Sequence, residues 1–178
     1  MLWKDTDVDG GEGKDMFKFN IVDTPGHADF GAEVERIDSV ALVVDATEGT
    51  MTQTKFVLGK ALARNLRPFV VINKADRSTH RIGIVENEIF DLFASLDATD
   101  EQMEYPVVYA SAKDDWCVHD MDDEITVEAR AKQGMKPLFQ TLHSKVPAPS
   151  VEHDGPFSSR YSVGGGGGGG GGLLMCCE

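Results

Sequence analysis

Four short apolar runs, each closing on polar or glycine-containing residues, constrain this chain more than any other feature. They are Phe17–Val22, Ala41–Asp45, Phe69–Asn73 and Val107–Ser111. Each is rich in β-branched or aromatic residues and has strand length. Between them lie stretches with helical spacing. Phe30, Val34 and Ile37 share one face, Phe56, Leu58, Ala61 and Leu62 another, and Val85, Ile89, Leu92, Phe93 and Leu96 form the cleanest stripe. Leu138, Leu142 and Val146 make a last stripe behind Pro137, a residue suited to a first helical turn. Strands alternating with helices predict an α/β fold, a mostly parallel sheet with crossover helices. Ligands of such sheets bind at the carboxyl ends of the strands, so the polar run ends mark the expected site.

Composition divides the chain into three zones. Residues 1–15 are dominated by glycine and aspartate and read as an acidic, disordered lead; 16–146 carry the alternation; 147–178 open on Pro147-Ala-Pro149 and contain nine consecutive glycines, Gly164 to Gly172. A polyglycine run buries no core, so the last zone is expected to be a disordered linker and tail. The net charge of −13 argues against nucleic-acid binding by bulk electrostatics, because a surface that neutralises phosphates is basic, and no direct sequence-specific nucleic-acid binding is expected. Cys117, Cys176 and Cys177 show neither zinc-type nor disulfide-type spacing, as expected of a reducing compartment. No apolar run has membrane-spanning length. These features predict a cytoplasmic protein, with an organelle stroma or matrix as the second choice.

Three of the strand ends carry chemistry. Asp23-Thr-Pro-Gly-His27 follows the first run. A carboxylate at Asp23 suits a hydrated magnesium ion, Gly26 lets a backbone N–H approach an anionic oxygen, and His27 is placed to order a water. The same residues are also ordinary turn chemistry. Asn73-Lys-Ala-Asp76 follows the third run. Asp76 can accept two hydrogen bonds from the adjacent donors on the guanine edge, a pair that adenine lacks. Asn73 can pair with a purine ring nitrogen, and the Lys74 stem can lie along the base. The competing reading makes Asp76 a helix N-cap. Tyr109-Ala-Ser-Ala-Lys113 ends the fourth run, where backbone N–H groups of Ser111 and Ala112 can meet the guanine carbonyl.

Two other clusters fit worse. Asp5-Thr-Asp-Val-Asp-Gly10 opens like a calcium loop, but the position needing a bidentate glutamate holds Met16. The acids and His119 within residues 114–120 read as a solvated loop in preference to a metal site.

The segment Asn20–Arg36 resembles the switch II region of translational GTPases of the elongation-factor class. Together with Phe56–Leu62, Val71–Arg77, Phe90–Phe93, Ala98–Gln102 and Pro106–Ala112, it is most similar to the BipA/TypA subfamily. The resemblance covers roughly residues 17–157, with Gly155-Pro-Phe157 similar to the start of that family's second domain. It implies a P-loop NTPase-type GTP-binding domain, GTP hydrolysis, GTP or GDP with magnesium as ligands, and the ribosome as partner. It also implies Asp23 and Gly26 at the magnesium and terminal phosphate, His27 as the water-positioning catalytic residue, and Asn73, Lys74, Asp76, Ser111 and Ala112 around guanine.

The phosphate loop itself, Gly-x-x-x-x-Gly-Lys-Ser/Thr, does not occur. Its nearest approach, Gly13-Lys14, has Val8 in place of the first glycine and Asp15 after the lysine. Compared with the family, about four residues, roughly one helical turn, are also lacking after Arg36. The pattern reads as a partial GTP-binding domain without its N-terminal strand, phosphate loop and switch I. A non-catalytic interaction module, or a fragment without independent activity, remains the alternative. Without the central strand, Phe17–Val22 and Ala41–Asp45 stand about 10 Å apart at ~4.8 Å per strand. They then close up, recruit another chain, or leave buried backbone groups unpaired at ~1–3 kcal/mol each.

Overall fold

The computed structural model describes residues 2–4, 16–24, 37–121, 127–146 and 172–176. Its main sheet contains β3 (Asn20–Thr24), β4 (Ile37–Asp45), β5 (Arg67–Asn73), β6 (Val107–Ser111), β7 (Trp116–Val118) and β8 (Gly172–Cys176), in the spatial order β3-β8-β4-β5-β6-β7. All neighbours are parallel except β6 and β7. The helices are α1 (Thr52–Ala63), α2 (Ile82–Ser95), α3 (Asp100–Met103), α4 (Val127–Gln133) and α5 (Lys136–Lys145). The expected α/β architecture, mostly parallel with crossover helices, is present.

The core follows the two-residue period of the strands. Leu42 and Val44 of β4 and Val70 and Ile72 of β5 face one side, where they pack with Leu58 and Leu62 of α1 and Val85, Ile89, Leu92 and Phe93 of α2. Ala41, Val43, Phe69, Val71, Val108 and Ala110 face the other, against Phe139 and Leu142 of α5. Strands buried on both faces read as continuous apolar runs, which is why β4 and β5 stood out in the sequence. Phe56, placed by sequence on the apolar face of α1, instead lies exposed with the Lys60 ammonium 4.4 Å from its ring centre. Val57 takes the buried position. Helical spacing tolerates either assignment, and the position of β4 selects one.

Short elements invisible to periodicity lock the layers. Thr99 caps α3 in a reciprocal box with Gln102, and the buried Gln102 amide donates to the Leu62 carbonyl in the last turn of α1 and to the Leu66 carbonyl just before β5.

Several expectations are corrected. Phe17–Val22 is not one strand: β2 (Met16–Lys18) pairs antiparallel with β1 (Leu2–Lys4) in a separate two-stranded sheet, and the main sheet begins at Asn20. Leu2–Lys4 therefore departs from the disordered lead. Its Leu-Trp pair precedes the acidic stretch that dominated the composition of that zone. The tail departs likewise. Gly172–Cys176 fills the gap between β3 and β4, an outcome outside the three foreseen, and pairs both rows of backbone groups. Trp116–Val118, read as solvated loop, is a fully buried edge strand. The helical face containing Phe30 and Val34 lies outside the described residues, while Ile37 begins β4.

Candidate guanine-nucleotide site

Parallel pairing brings the strand ends into one row. The β4–β5 register sets Asp45 beside Asn73, and the turn after β6 lies beside the turn after β5. There, Asn73 Oδ1 accepts from Lys74 N–H at 2.8 Å and from Ala112 N–H at 3.1 Å. Ala75 N–H donates to the Ala110 carbonyl at 3.1 Å. The motif after β5 is thus tied to the motif after β6. Because two backbone donors fix the oxygen, the Asn73 amide nitrogen is oriented as a donor that meets no acceptor among the described residues.

Asp76 does not cap a helix. Arg81 occupies the N-cap position of α2, and Asp76 sits exposed in the intervening turn. Among the described residues its carboxylate has no hydrogen-bond or ion-pair partner. Ser111 is buried, and its hydroxyl is engaged with Asp114 at 3.2 Å. Ala112 is exposed with its N–H directed to Asn73, so in this conformation that donor orders the Asn73 carboxamide.

Lys74 adopts a left-handed backbone, φ +61°. A non-glycine residue there costs about 1–3 kcal/mol and is common at ligand sites. Its ammonium bonds to Asp45 Oδ2. The Asp45 carboxylate also accepts from Thr47 N–H at 2.7 Å and Glu48 N–H at 3.2 Å, and Arg77 lies 3.8 Å away. Burial alone would raise the Asp45 pKa, but the Lys74 bond and the two backbone donors together outweigh it, and the net shift is downward. Sequence reasoning missed Asp45. Its signal was an acid at the end of a wholly apolar run, one row from Asn73.

The loop after β4 is held from α2. Arg81 donates to the Thr47 carbonyl at 2.8 Å and the Glu48 carbonyl at 2.7 Å, and pairs with Glu88 at 2.7 Å. Glu88 in turn accepts from Thr50 N–H at 3.3 Å. Gly49 is left-handed at φ +84°, and a Cβ there would stand 2.0 Å from Glu88 Oε2.

Asp23 occupies the carboxyl end of β3, paired through its backbone with Met175. Gly26 and His27 lie outside the described residues. Among the described residues no group of three acids, cysteines or histidines could hold a metal ion, and no helix is long and apolar enough to cross a membrane.

The profile of the family described as "Elongation factor Tu GTP binding domain" matches residues 5–148. Curated proteins named "Large ribosomal subunit assembly factor BipA" are similar across 82% of this chain: 51% identical in Escherichia coli over 24% of that protein's length, and 49% identical in Haemophilus influenzae over 23%. The Buchnera aphidicola protein of the same name is 45% identical over 24% of its length. The chain thus spans about a quarter of the length of the curated relatives it matches. The profile match spans most of the chain, and by it the chain belongs to the elongation factor Tu GTP-binding domain family.

Proposed function

We propose that this chain is the guanine-reading part of a translational GTPase of the cytoplasm that acts on the ribosome; the relatives named "Large ribosomal subunit assembly factor BipA" support the ribosomal part of this reading. The observation that carries the reading is the Asn73 carboxamide, pinned by Lys74 and Ala112, three residues before an exposed Asp76 whose carboxylate has no partner among the described residues. In this reading Asn73 donates to the purine ring nitrogen, Asp76 accepts the paired donors of the guanine edge, and the Lys74 stem flanks the base. Ser111 and Ala112 close the carbonyl side, which requires the Ala112 N–H to be shared with or released from Asn73.

Asp23, an oxygen donor at the carboxyl end of β3, has the ligand chemistry that magnesium takes through water. Magnesium, when bound, neutralises charge on the phosphates of the nucleotide. Gly26 offers an N–H to the terminal phosphate, and His27 orders the attacking water in the GTP hydrolysis of the family. The 178 residues hold no phosphate-loop pattern, so the chain as it stands is expected to discriminate guanine without measurable turnover.

Calorimetry with GDP, ADP and XDP tests the base assignment. GDP should bind more tightly than ADP, and Asp76→Asn should move preference toward XDP, because an amide can donate to the xanthine carbonyl. Equal affinity for GDP and ADP would remove Asp76 and Asn73 from the pocket.

A further inference from the structure

Two residues of the loop after β4 are gripped from opposite sides. The N–H groups of Thr47 and Glu48 donate to the Asp45 carboxylate, at 2.7 and 3.2 Å. The carbonyls of the same two residues accept from Arg81, through Nε at 2.8 Å and Nη2 at 2.7 Å, while Nη1 bonds Glu88 at 2.7 Å. Holding three acceptors at once uses the planar fork of an arginine, a geometry that the compact ammonium of a lysine does not reproduce. Ala46 extends the link. Its N–H donates to the Asn73 carbonyl at 2.8 Å, and its carbonyl accepts from Arg81 N–H at 2.9 Å. The N-cap of α2 is thus connected, through this loop, to the backbone of Asn73 and the side chain of Asp45.

Asp45 passes the constraint on. Its side chain is 6% exposed, and its Oδ2 takes the Lys74 ammonium. A lysine stem has many rotamers, and ordering them at the moment of binding subtracts from affinity. Here the ammonium is tethered to a buried carboxylate that two backbone donors already fix, and the other end of the stem leaves a left-handed backbone at φ +61°. The stem is therefore held at both ends before any base arrives.

We propose that Asp45 is a positioning residue for guanine, acting through Lys74, and that Arg81 sets Asp45 through Thr47 and Glu48. This rests on the guanine reading above, in which the Lys74 stem flanks the base, and adds to it the groups that order that stem beforehand. Asp45 and Arg81 act without touching the base.

Calorimetry with GDP and ADP on the full 178-residue chain tests this, at a temperature where circular dichroism shows each variant folded. Asp45→Asn keeps the size and an acceptor for the loop N–H groups but releases the lysine. GDP affinity should fall roughly 3- to 10-fold, the cost of ordering one long side chain on binding. Arg81→Lys keeps the charge, loses the fork, and should weaken GDP by no more than Asp45→Asn does. The double variant should bind no more weakly than Asp45→Asn alone, because both changes break one chain of contacts. A second measurement follows the lysine without nucleotide. Trace acetylation mapped by mass spectrometry should modify Lys74 more slowly than the exposed Lys55 in the wild type, and the gap should narrow in Asp45→Asn. Should Asp45→Asn not fold, Lys74→Met decides in its place: it keeps most of the stem, frees its end, and should show the same loss of GDP affinity. A wild type that does not prefer GDP to ADP would remove the guanine reading and this inference with it. A wild type that prefers GDP, with affinity unchanged in Asp45→Asn or Lys74→Met, additive losses in the double variant, or an unaltered acetylation gap, would overturn this inference alone.

Discussion

Replacing Asp45 perturbs the Lys74 contact beside Asn73, and its cost can be worked from three contacts. In Asp45→Asn the size and one acceptor oxygen remain, so the Thr47 and Glu48 N–H bonds can survive, while the charge facing Lys74 is lost. A hydrogen bond to a charged group contributes about 1.5–3 kcal/mol. The Lys74 side chain is 38% exposed, so solvent screening lowers the expected loss to about 1–2 kcal/mol. Asp45→Ala also orphans the Thr47 and Glu48 donors, raising the loss to about 2–4 kcal/mol. Urea unfolding at pH 7 should show the order wild type, Asn, Ala in midpoint with little change in slope.

The pH dependence supplies the sign. The folded carboxyl titrates below the ordinary aspartate value of 3.8, so its stabilisation is fully present above that value and disappears as pH falls through the lower folded value. The gap between wild type and Asp45→Asn should therefore close in acid, where the wild-type side chain is itself neutral. A gap below about 0.3 kcal/mol at pH 7, or one that persists undiminished in acid, would refute the role assigned to the Lys74 pair.

Three further outcomes follow from burial and backbone geometry. Phe93 is fully buried between the sheet and Tyr105, and Phe93→Ala should lower stability by about 3–5 kcal/mol in the same urea assay. Gly49→Ala meets both a left-handed φ and the Glu88 carboxylate; it should cost more than about 1 kcal/mol, with a lowered melting temperature by calorimetry. Burial pushes the Cys117 thiol up to about 12, so mass-spectrometric mapping after brief alkylation at pH 8 should find Cys117 unmodified in the native chain and modified in urea.

The alternation of apolar runs and helical stripes was enough to place β4, β5, β6, α1, α2 and α5, because strands buried on both faces and helices buried on one leave a periodic signature in the residues themselves. The positions of Asn73, Lys74, Asp76, Ser111 and Ala112 at strand ends were legible for the same reason. Their binding roles still await the calorimetry proposed above. What periodicity could not carry was pairing. A single run at Phe17–Val22 divided between two sheets, and Trp116–Val118 became an edge strand because β6 offered it one free row of hydrogen bonds. Asp45 acquired its role only from a register that set β4 beside β5. Most of all, Leu173–Cys176 had too few residues to signal a strand alone. It became one because two distant strands left unpaired donors and acceptors on either side, and that vacancy exists only in the folded sheet.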